Sequence, residues 1–162
     1  MNNYAMMISK VKNIYIMLLH AISKENIAMV DHFLDDTLTE KIKKIIETNK
    51  AKNLKQLFRL PNISNLVVIR EDNEYLTIQA EIKHITYFVN RQTNKYICGD
   101  RQTRITENVY FKLRKNNNVE RSIIQCPSCG AALNINKTAI CSYCGIDVDE
   151  RFSDYVLCSI SR

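Results

Sequence analysis

Apolar residues near the start of the chain recur at steps of three and four positions. This period places them on one side of an α-helix and predicts an amphipathic helix over residues 3–22 with one buried stripe. The mainly apolar run over residues 14–22 is too short to span a bilayer, and His20 within it disfavours a cleaved signal peptide, so we interpret the segment as a core helix. The inward residues of this helix are predicted to be Tyr4, Ile8, Val11, Tyr15, Leu18 and Ile22.

Two further helices are predicted before residue 50. Ser23 is a candidate N-cap for a short helix that ends near residue 34, and Thr37 or Thr39 is a candidate N-cap for a third helix that ends near residue 49. Residues 50–60 are expected to be helical again or to form a basic connector. The apolar residues expected to point inward from these helices are Ile27, Val30, Phe33, Leu34, Ile42, Ile45 and Ile46.

After Pro61 the apolar period changes to two, which is typical of β-strands. Strands are predicted over 66–69 and 75–89, joined by a turn at 71–74. Within the second strand the apolar residues change from even to odd positions after Ile82, and such a phase slip predicts a β-bulge that bends the sheet. The slip divides Leu76, Ile78, Ala80 and Ile82 from Ile85, Tyr87 and Val89.

The remaining strands complete an antiparallel sheet. A turn at Thr93-Asn94 leads to a strand at 96–98, a corner at Gly99-Asp100 and a strand at 105–113. We place the apolar segment 155–160 beside the strand at 105–113. The cysteine-rich segment that precedes it, described below, is too small to bury this strand alone. The predicted fold class is therefore α+β, with three helices on the concave face of a curved sheet. Residues 1–122 and 152–162 would form this body, and residues 123–151 an insertion.

Four cysteines inside the insertion have the spacing of a zinc ribbon. Two Cys-x-x-Cys pairs, Cys126 with Cys129 and Cys141 with Cys144, are separated by eleven residues and each is followed by glycine. Four thiolates at this spacing suit tetrahedral Zn²⁺ and leave no open position for water, so the predicted metal is structural. Redox, disulfide and rubredoxin-type interpretations fit less well, because they favour a single pair, an oxidising compartment or more distant pairs.

Charge adds a second candidate feature. The net charge is +6 over 162 residues, and residues 1–60 carry ten basic against six acidic side chains. Clustered basic residues attract an anionic lipid surface, although a solvated helix face has the same pattern. We expect a cytoplasmic protein with contact to the inner face of a membrane as one option. The basic residues of this run are Lys41, Lys43, Lys44, Lys50, Lys52, Lys55 and Arg59.

The order of helices, curved strands and cysteine pairs resembles a known family. It is similar to the conserved Tim-forty-four-like domain of the mitochondrial inner-membrane import-motor scaffold, within the nuclear-transport-factor-two-like cone superfamily. The closer likeness is to uncharacterised bacterial relatives with a zinc ribbon. It runs over 87–101, over Gln125-Cys126-Pro127-Ser128-Cys129-Gly130-Ala131-Ala132-Leu133 and over 154–160, where Tyr155 replaces the Trp of relatives.

The resemblance implies a cone fold and a non-enzymatic module that contacts proteins or a membrane. The chaperone-docking role of the mitochondrial member is not expected, since its long N-terminal segment does not precede the domain in this sequence. An enzyme or small-ligand binder that uses the cone pocket is the alternative, with His84, Tyr87 and Asp100 as pocket candidates. Nucleic-acid binding is a weaker alternative, because Lys137 is the only basic residue between the cysteine pairs.

Overall fold

The computed structural model describes residues 4–115, 123–125, 132–134 and 155–162. It has an α+β architecture with two α-helices and a five-stranded antiparallel sheet, which confirms the predicted fold class but not the three helices. The elements in chain order are α1 (Ala5–Lys24), two 3₁₀ helices (Ile27–Met29 and Asp31–Phe33), α2 (Asp36–Ala51), β1 (Leu54–Glu71), β2 (Tyr75–Asn90), β3 (Tyr96–Cys98), β4 (Ile105–Lys115), β5 (Ile123–Gln125), β6 (Ala132–Asn134) and β7 (Tyr155–Ser161).

The predicted second α-helix is wrong, because this segment forms two 3₁₀ helices of three residues each. α1 continues through Ser23, and Asn26 then accepts a hydrogen bond from the Ala28 amide through its side chain (3.2 Å), which starts a 3₁₀ helix. The cap of α2 is Asp35 and neither threonine: its Oδ1 accepts from the Leu38 amide at 2.9 Å. The inward residues Val30, Phe33 and Leu34 are nevertheless buried, as the pattern predicted.

The main sheet has the strand order β1-β2-β4-β7, and β3 also pairs with β2. The last strand therefore returns to the sheet, antiparallel to β4, with Leu113 opposite Leu157. This confirms the predicted pairing of the chain's final segment. The proposed domain boundaries around residues 123–151 stay a prediction.

The interpretation of residues 50–60 as a helix or connector is wrong, because β1 already begins at Leu54. A proline inside a strand is tolerated at an edge or a bulge, and Pro61 is at both. The β1–β2 register shifts between Arg59 and Asn62, next to Leu60, which has a positive φ of 51°. Such irregularities conceal a strand from a search for strict alternation.

The bulge predicted in β2 lies in its neighbour instead. β2 pairs with β4 without a register shift from Tyr75 to His84, whereas β1 places two residues opposite His84. The change of buried phase is confirmed, because Ile85 and Val89 are each 4% exposed. These two residues are not part of the main core, whose last member on β2 is Ile82. A bulge in one strand thus accompanies a change of buried face in the next.

Both helices pack on one face of the sheet, and the core lies between the two layers. The register brings the inward side chains of neighbouring strands into rows: Leu76 lies opposite Leu113, and Ile78 opposite Phe111. Burial of these rows removes apolar area from water, which is the main stabilising term in folding. The largest fully buried side chains are Phe111, Met7, Ile14, Leu76, Ile78, Leu113, Leu157, Val11 and Val30.

A second, two-stranded sheet is formed by β5 and β6, which pair antiparallel with Gln125 opposite Ala132. The sequence between these two strands contains the first cysteine pair. Cys126, Cys129, Cys141 and Cys144 themselves lie outside the described residues, so the zinc ligands stay a prediction. The strand pairing is compatible with a ribbon, since zinc knuckles connect adjacent antiparallel strands.

Candidate functional site

A cavity of about 390 Å³ opens between α1 and the inner face of the sheet, beyond the end of the packed core. Its position follows from the amphipathic pattern, because inward residues of α1 and of β2 and β4 line it. A concave, mainly apolar site of this size is the usual form of a small-molecule pocket. Its apolar walls include Leu18, Leu19, Ile22, Ile82, Val109 and Phe111.

One end of the cavity is polar. The Tyr15 hydroxyl lies 3.0 Å from Nδ1 of His84, and the tautomer of the imidazole decides which group donates the hydrogen bond. The ring of Phe58 meets the imidazole edge-on, with 5.4 Å between ring centroids. His84 Nε2 has no hydrogen-bond partner among the residues that the structure describes, so it is available to a ligand.

Burial disfavours the charged form of both groups in this pair. It raises the pKa of Tyr15 to about 12, with Arg104 acting in the opposite direction. Burial also lowers the pKa of His84 below its ordinary 6.5; Glu107 opposes this shift and Arg162 adds to it. A neutral phenol beside a neutral imidazole offers hydrogen bonds without charge.

An ion pair borders the same cavity. Arg162 Nε lies 3.3 Å from a carboxylate oxygen of Glu107, and the Arg162 side chain is 81% exposed. Sequence reasoning did not select Glu107 as a site residue, although the signal was present: it is a carboxylate at an inward position of an alternating strand. Tyr15 was predicted only as a core residue, because its partner His84 is 69 positions away.

We expect His84 to make the stability of the protein fall as the solution becomes acidic. Below pH 6.5 the unfolded chain protonates this imidazole, whereas the folded protein, with its lowered pKa, does not until a lower pH. The unfolded state therefore binds more protons in that window, and the free energy of unfolding decreases as the pH falls through it. Above pH 6.5 the contribution is fully present.

The test is an NMR titration of the His84 ring, with the protein in urea as the unfolded reference. The folded midpoint is expected below the reference, and His84→Gln should flatten the stability profile in the same pH window. A folded midpoint at or above the reference contradicts the prediction.

The other two pocket candidates lie away from this cavity. Asp100 is exposed, and its Oδ1 accepts hydrogen bonds from the amides of Gln102 (2.8 Å) and Thr103 (3.0 Å), so it stabilises the corner after β3. The hydrogen bond to the Thr103 side chain, followed by these backbone bonds, lowers the pKa of Asp100. Tyr87 alternates with the inward residues of β2 and lies on the outer face, against Tyr96.

The predicted basic run is spread over several directions in the structure. Successive helical residues differ by about 100°, so Lys41 and Lys43 are about 200° apart around α2. Lys43 is also paired with Glu40 at 3.5 Å. Contact with a membrane through this run therefore stays a prediction without a single basic face to carry it. The run's residues in α2 and just after it are exposed, and Lys55 is half-buried in β1.

Within the described part of the chain, one helix is long and apolar enough to cross a membrane by length and composition. It is α1, with a mean hydropathy of 1.2. A buried core helix meets the same criterion, and ten residues of α1 are buried against the rest of the protein. The finding agrees with the interpretation of this segment as a core helix.

Comparison with known proteins gives a likeness of fold. No protein-family model matches the chain, and no curated protein matches it. Among solved structures, it resembles the intermembrane space region of the chloroplast protein ARC6, with a TM-score of 0.55 and 10% sequence identity. The match covers 99% of this chain and 95% of that one. What the two share is the fold.

Proposed function

We propose that this protein is a non-enzymatic binding module that takes a mainly apolar ligand group into the cavity between α1 and the sheet. The observation that carries the proposal is the cavity's composition: apolar walls end in the neutral Tyr15–His84 pair. Such a site favours an apolar body with one uncharged hydrogen-bonding group. A fixed charge would lose water there without gaining an opposite charge from this pair, and the charges of Glu107 and Arg162 at the cavity already neutralise each other.

An enzyme that uses His84 as a general base is the second candidate, because the lowered pKa keeps the imidazole in its basic form. Binding is favoured over catalysis because the other groups are less suited to proton transfer. The raised pKa of Tyr15 makes it a weak acid at neutral pH, and Glu107 is paired with Arg162. Nucleic-acid binding through the cysteine-rich segment is less favoured, because Lys137 is the only basic residue between the cysteine pairs.

A structural zinc ion bound by Cys126, Cys129, Cys141 and Cys144 is part of the proposal. Its support is the spacing of the cysteines and the paired strands on either side of the first pair. We also propose kinship with the Tim-forty-four-like domain and its zinc-bearing bacterial relatives, a cytoplasmic location and a protein partner. The sequence motifs shared with that family support the kinship. The expectation that the four thiolates are reduced supports the cytoplasmic location.

The experiment compares three probes with the same ten-carbon chain: 1-decanol, decanoate and decyltrimethylammonium. Titrations of ¹⁵N-labelled protein are expected to show the tightest binding for the alcohol, with shifts at Leu18, Ile82 and Val109. Ile105 lies at the cavity and is 42% exposed, so Ile105→Trp can obstruct the opening without disturbing the core. We expect this variant to weaken decanol binding by about tenfold, since added bulk in a pocket rejects its ligand.

Val67→Trp is the matched control, because Val67 is also an exposed strand residue (52%) but does not line the cavity. It should leave decanol binding unchanged. Equal losses in the two variants, or shifts that lie outside the cavity, would count against the proposed ligand site. Retained binding without turnover of candidate substrates would count against the enzyme alternative.

A further inference from the structure

The outer face of the sheet carries cations and aromatic rings near the corner after β3. The Arg101 guanidinium lies over the Tyr96 ring, 4.1 Å from its centroid. The Tyr87 and Tyr96 rings have centroids 6.4 Å apart. These three side chains form a cation–aromatic cluster. We call the following set the corner surface: Lys55, Arg59, Tyr87, Tyr96 and Arg101.

The backbone of this corner is held in place before any partner binds. The Tyr96 hydroxyl donates a hydrogen bond to the Gly99 carbonyl oxygen. Gly99 has a φ of 99°, and a Cβ on it would lie 2.8 Å from the Tyr87 Cα, so only glycine permits this close approach to β2. Because the cluster is already ordered, a partner loses little binding energy to the ordering of these groups.

The positive charge of the corner is largely uncompensated. Residues 91–106 contain four basic side chains and one acidic one, Asp100, whose carboxylate is occupied by two backbone amides. Arg91 is paired with Glu25 at 3.0 Å. Lys95 and Arg101, in contrast, have no ion-pair partner among the described residues. A field of one sign attracts a partner of the opposite sign.

The strand register extends the charge across the sheet. Val89 lies opposite Tyr96 on one side and opposite Lys55 on the other. Arg59 lies opposite Ile85, four residues away along the same face. The outer faces of three neighbouring strands therefore contribute to one basic and aromatic surface. Glu81 and Lys83, which precede Ile85 along β2, form a separate ion pair at 3.4 Å.

A free strand edge adjoins the surface. β3 is bonded to β2 along one edge, and the second edge has no partner among the strands that the structure describes. Ile97, in the middle of β3, is 46% exposed. A free edge can bind an extended peptide through main-chain hydrogen bonds, which is a way of binding that nucleic acid does not have. The edge therefore favours a protein over a nucleic acid as the anionic partner.

We propose that the corner surface docks an extended acidic segment of a partner protein, which adds to the free edge of β3 and places a carboxylate at Arg101. This surface is on the opposite side of the sheet from the cavity, so docking does not depend on a ligand in the cavity. The Tyr96 ring fixes the position of the Arg101 guanidinium, and a fixed guanidinium can bind a carboxylate through two parallel hydrogen bonds.

The test uses the full chain and a fluorescent ten-residue peptide of alternating Glu and Thr. We expect binding with amide shifts at Tyr96, Ile97 and Arg101, and none for a Gln–Thr peptide of the same length. Arg101→Glu should weaken binding by about tenfold or more, as expected for an interface anchor. The matched control is Lys44→Glu, which makes the same charge change at an exposed position on α2 and should alter affinity by less than about twofold.

Arg101→Gln distinguishes loss of an anchor from disruption by a new negative charge, and it should also weaken binding. Unchanged amide spectra outside residues 94–104 would show that the variants fold. Similar losses for Arg101→Glu and Lys44→Glu would overturn the proposal, because binding would then follow net charge alone. If a ten-nucleotide oligothymidylate binds more tightly than the peptide and its binding depends on Arg101, the partner is a nucleic acid and the proposal is overturned. Absence of peptide binding would also overturn it.

Discussion

Replacing Cys141 with serine is expected to remove one bound zinc ion and to release the β5–β6 hairpin, while the main sheet stays folded. Zinc binding at four-thiolate sites contributes about 10–16 kcal/mol and is coupled to folding of the module. Two strands of three residues each have little stability of their own. Native mass spectrometry would report the zinc content, and hydrogen exchange would compare β5 and β6 with β2 and β4.

Cys98→Ser is the control, since Cys98 is an exposed thiol outside the predicted ligand set. It should leave both the zinc content and the exchange rates unchanged. A wild-type protein without zinc, or equal loss of zinc in the two variants, would contradict the prediction. If exchange also accelerates in β7, the register of the last strand depends on the zinc-binding segment that precedes it.

Replacing Leu157 with alanine is expected to lower the free energy of unfolding by about 2–5 kcal/mol, the usual cost of a large-to-small change in a packed core. Leu157 is fully buried and is paired with Leu113. Its backbone also forms a bridge with Leu34 and accepts a hydrogen bond from the Asp35 amide at 2.9 Å. The last strand therefore joins the sheet to the start of α2.

Urea denaturation followed by far-UV circular dichroism would measure the change. Val156→Ala is the matched control, because Val156 is the neighbouring residue on the other side of the strand and is partly exposed. Its expected effect is about 0.5 kcal/mol. A loss below about 1 kcal/mol for Leu157→Ala would show that β7 is not an integral part of the folded body.

Much of the sheet could be predicted from alternation, because β2 and β4 are regular and have one buried face. The predicted strand at 75–89 differs by one residue from β2, and the tail strand at 155–160 by one residue from β7. Of β1 only the segment 66–69 is predicted, because the rest of this strand is not regular. Its register shifts three times against β2, so its buried residues do not follow a period of two.

In β7, alternation predicts the strand but not which of its side chains are buried. Parity within the apolar segment 155–160 predicts that Cys158 is buried together with Val156 and Ile160. A register shift in the β4–β7 pairing moves the inner face from odd to even positions, so Tyr155 and Leu157 are buried before the shift and Ile160 packs against the core after it. Cys158 is half-buried, and its thiol donates to the Lys112 carbonyl oxygen at 3.2 Å. A single extra residue exchanges the two faces of a strand.

The candidate site could be predicted only in part. His84 was selected because it continues the inward parity of Ile82, and it does line the cavity. Its contact with Tyr15 depends on how α1 crosses the sheet, which no local pattern encodes. Asp100 follows a glycine corner, and its role there is the one that turn chemistry favours for aspartate. Local chemistry is readable from sequence, whereas contacts between distant segments require the fold.

The kinks of β1 have a consequence for behaviour at high concentration. β1 is an edge strand of 18 residues, and Leu60, Val67 and Ile69 on it are exposed. A straight edge of this length and apolar character would template strand-to-strand aggregation. Pro61 supplies no amide hydrogen, and the left-handed residues Leu60 and Asn65 interrupt the flat run of donors and acceptors. The irregular backbone of β1 therefore disfavours strand-to-strand association between copies of the protein.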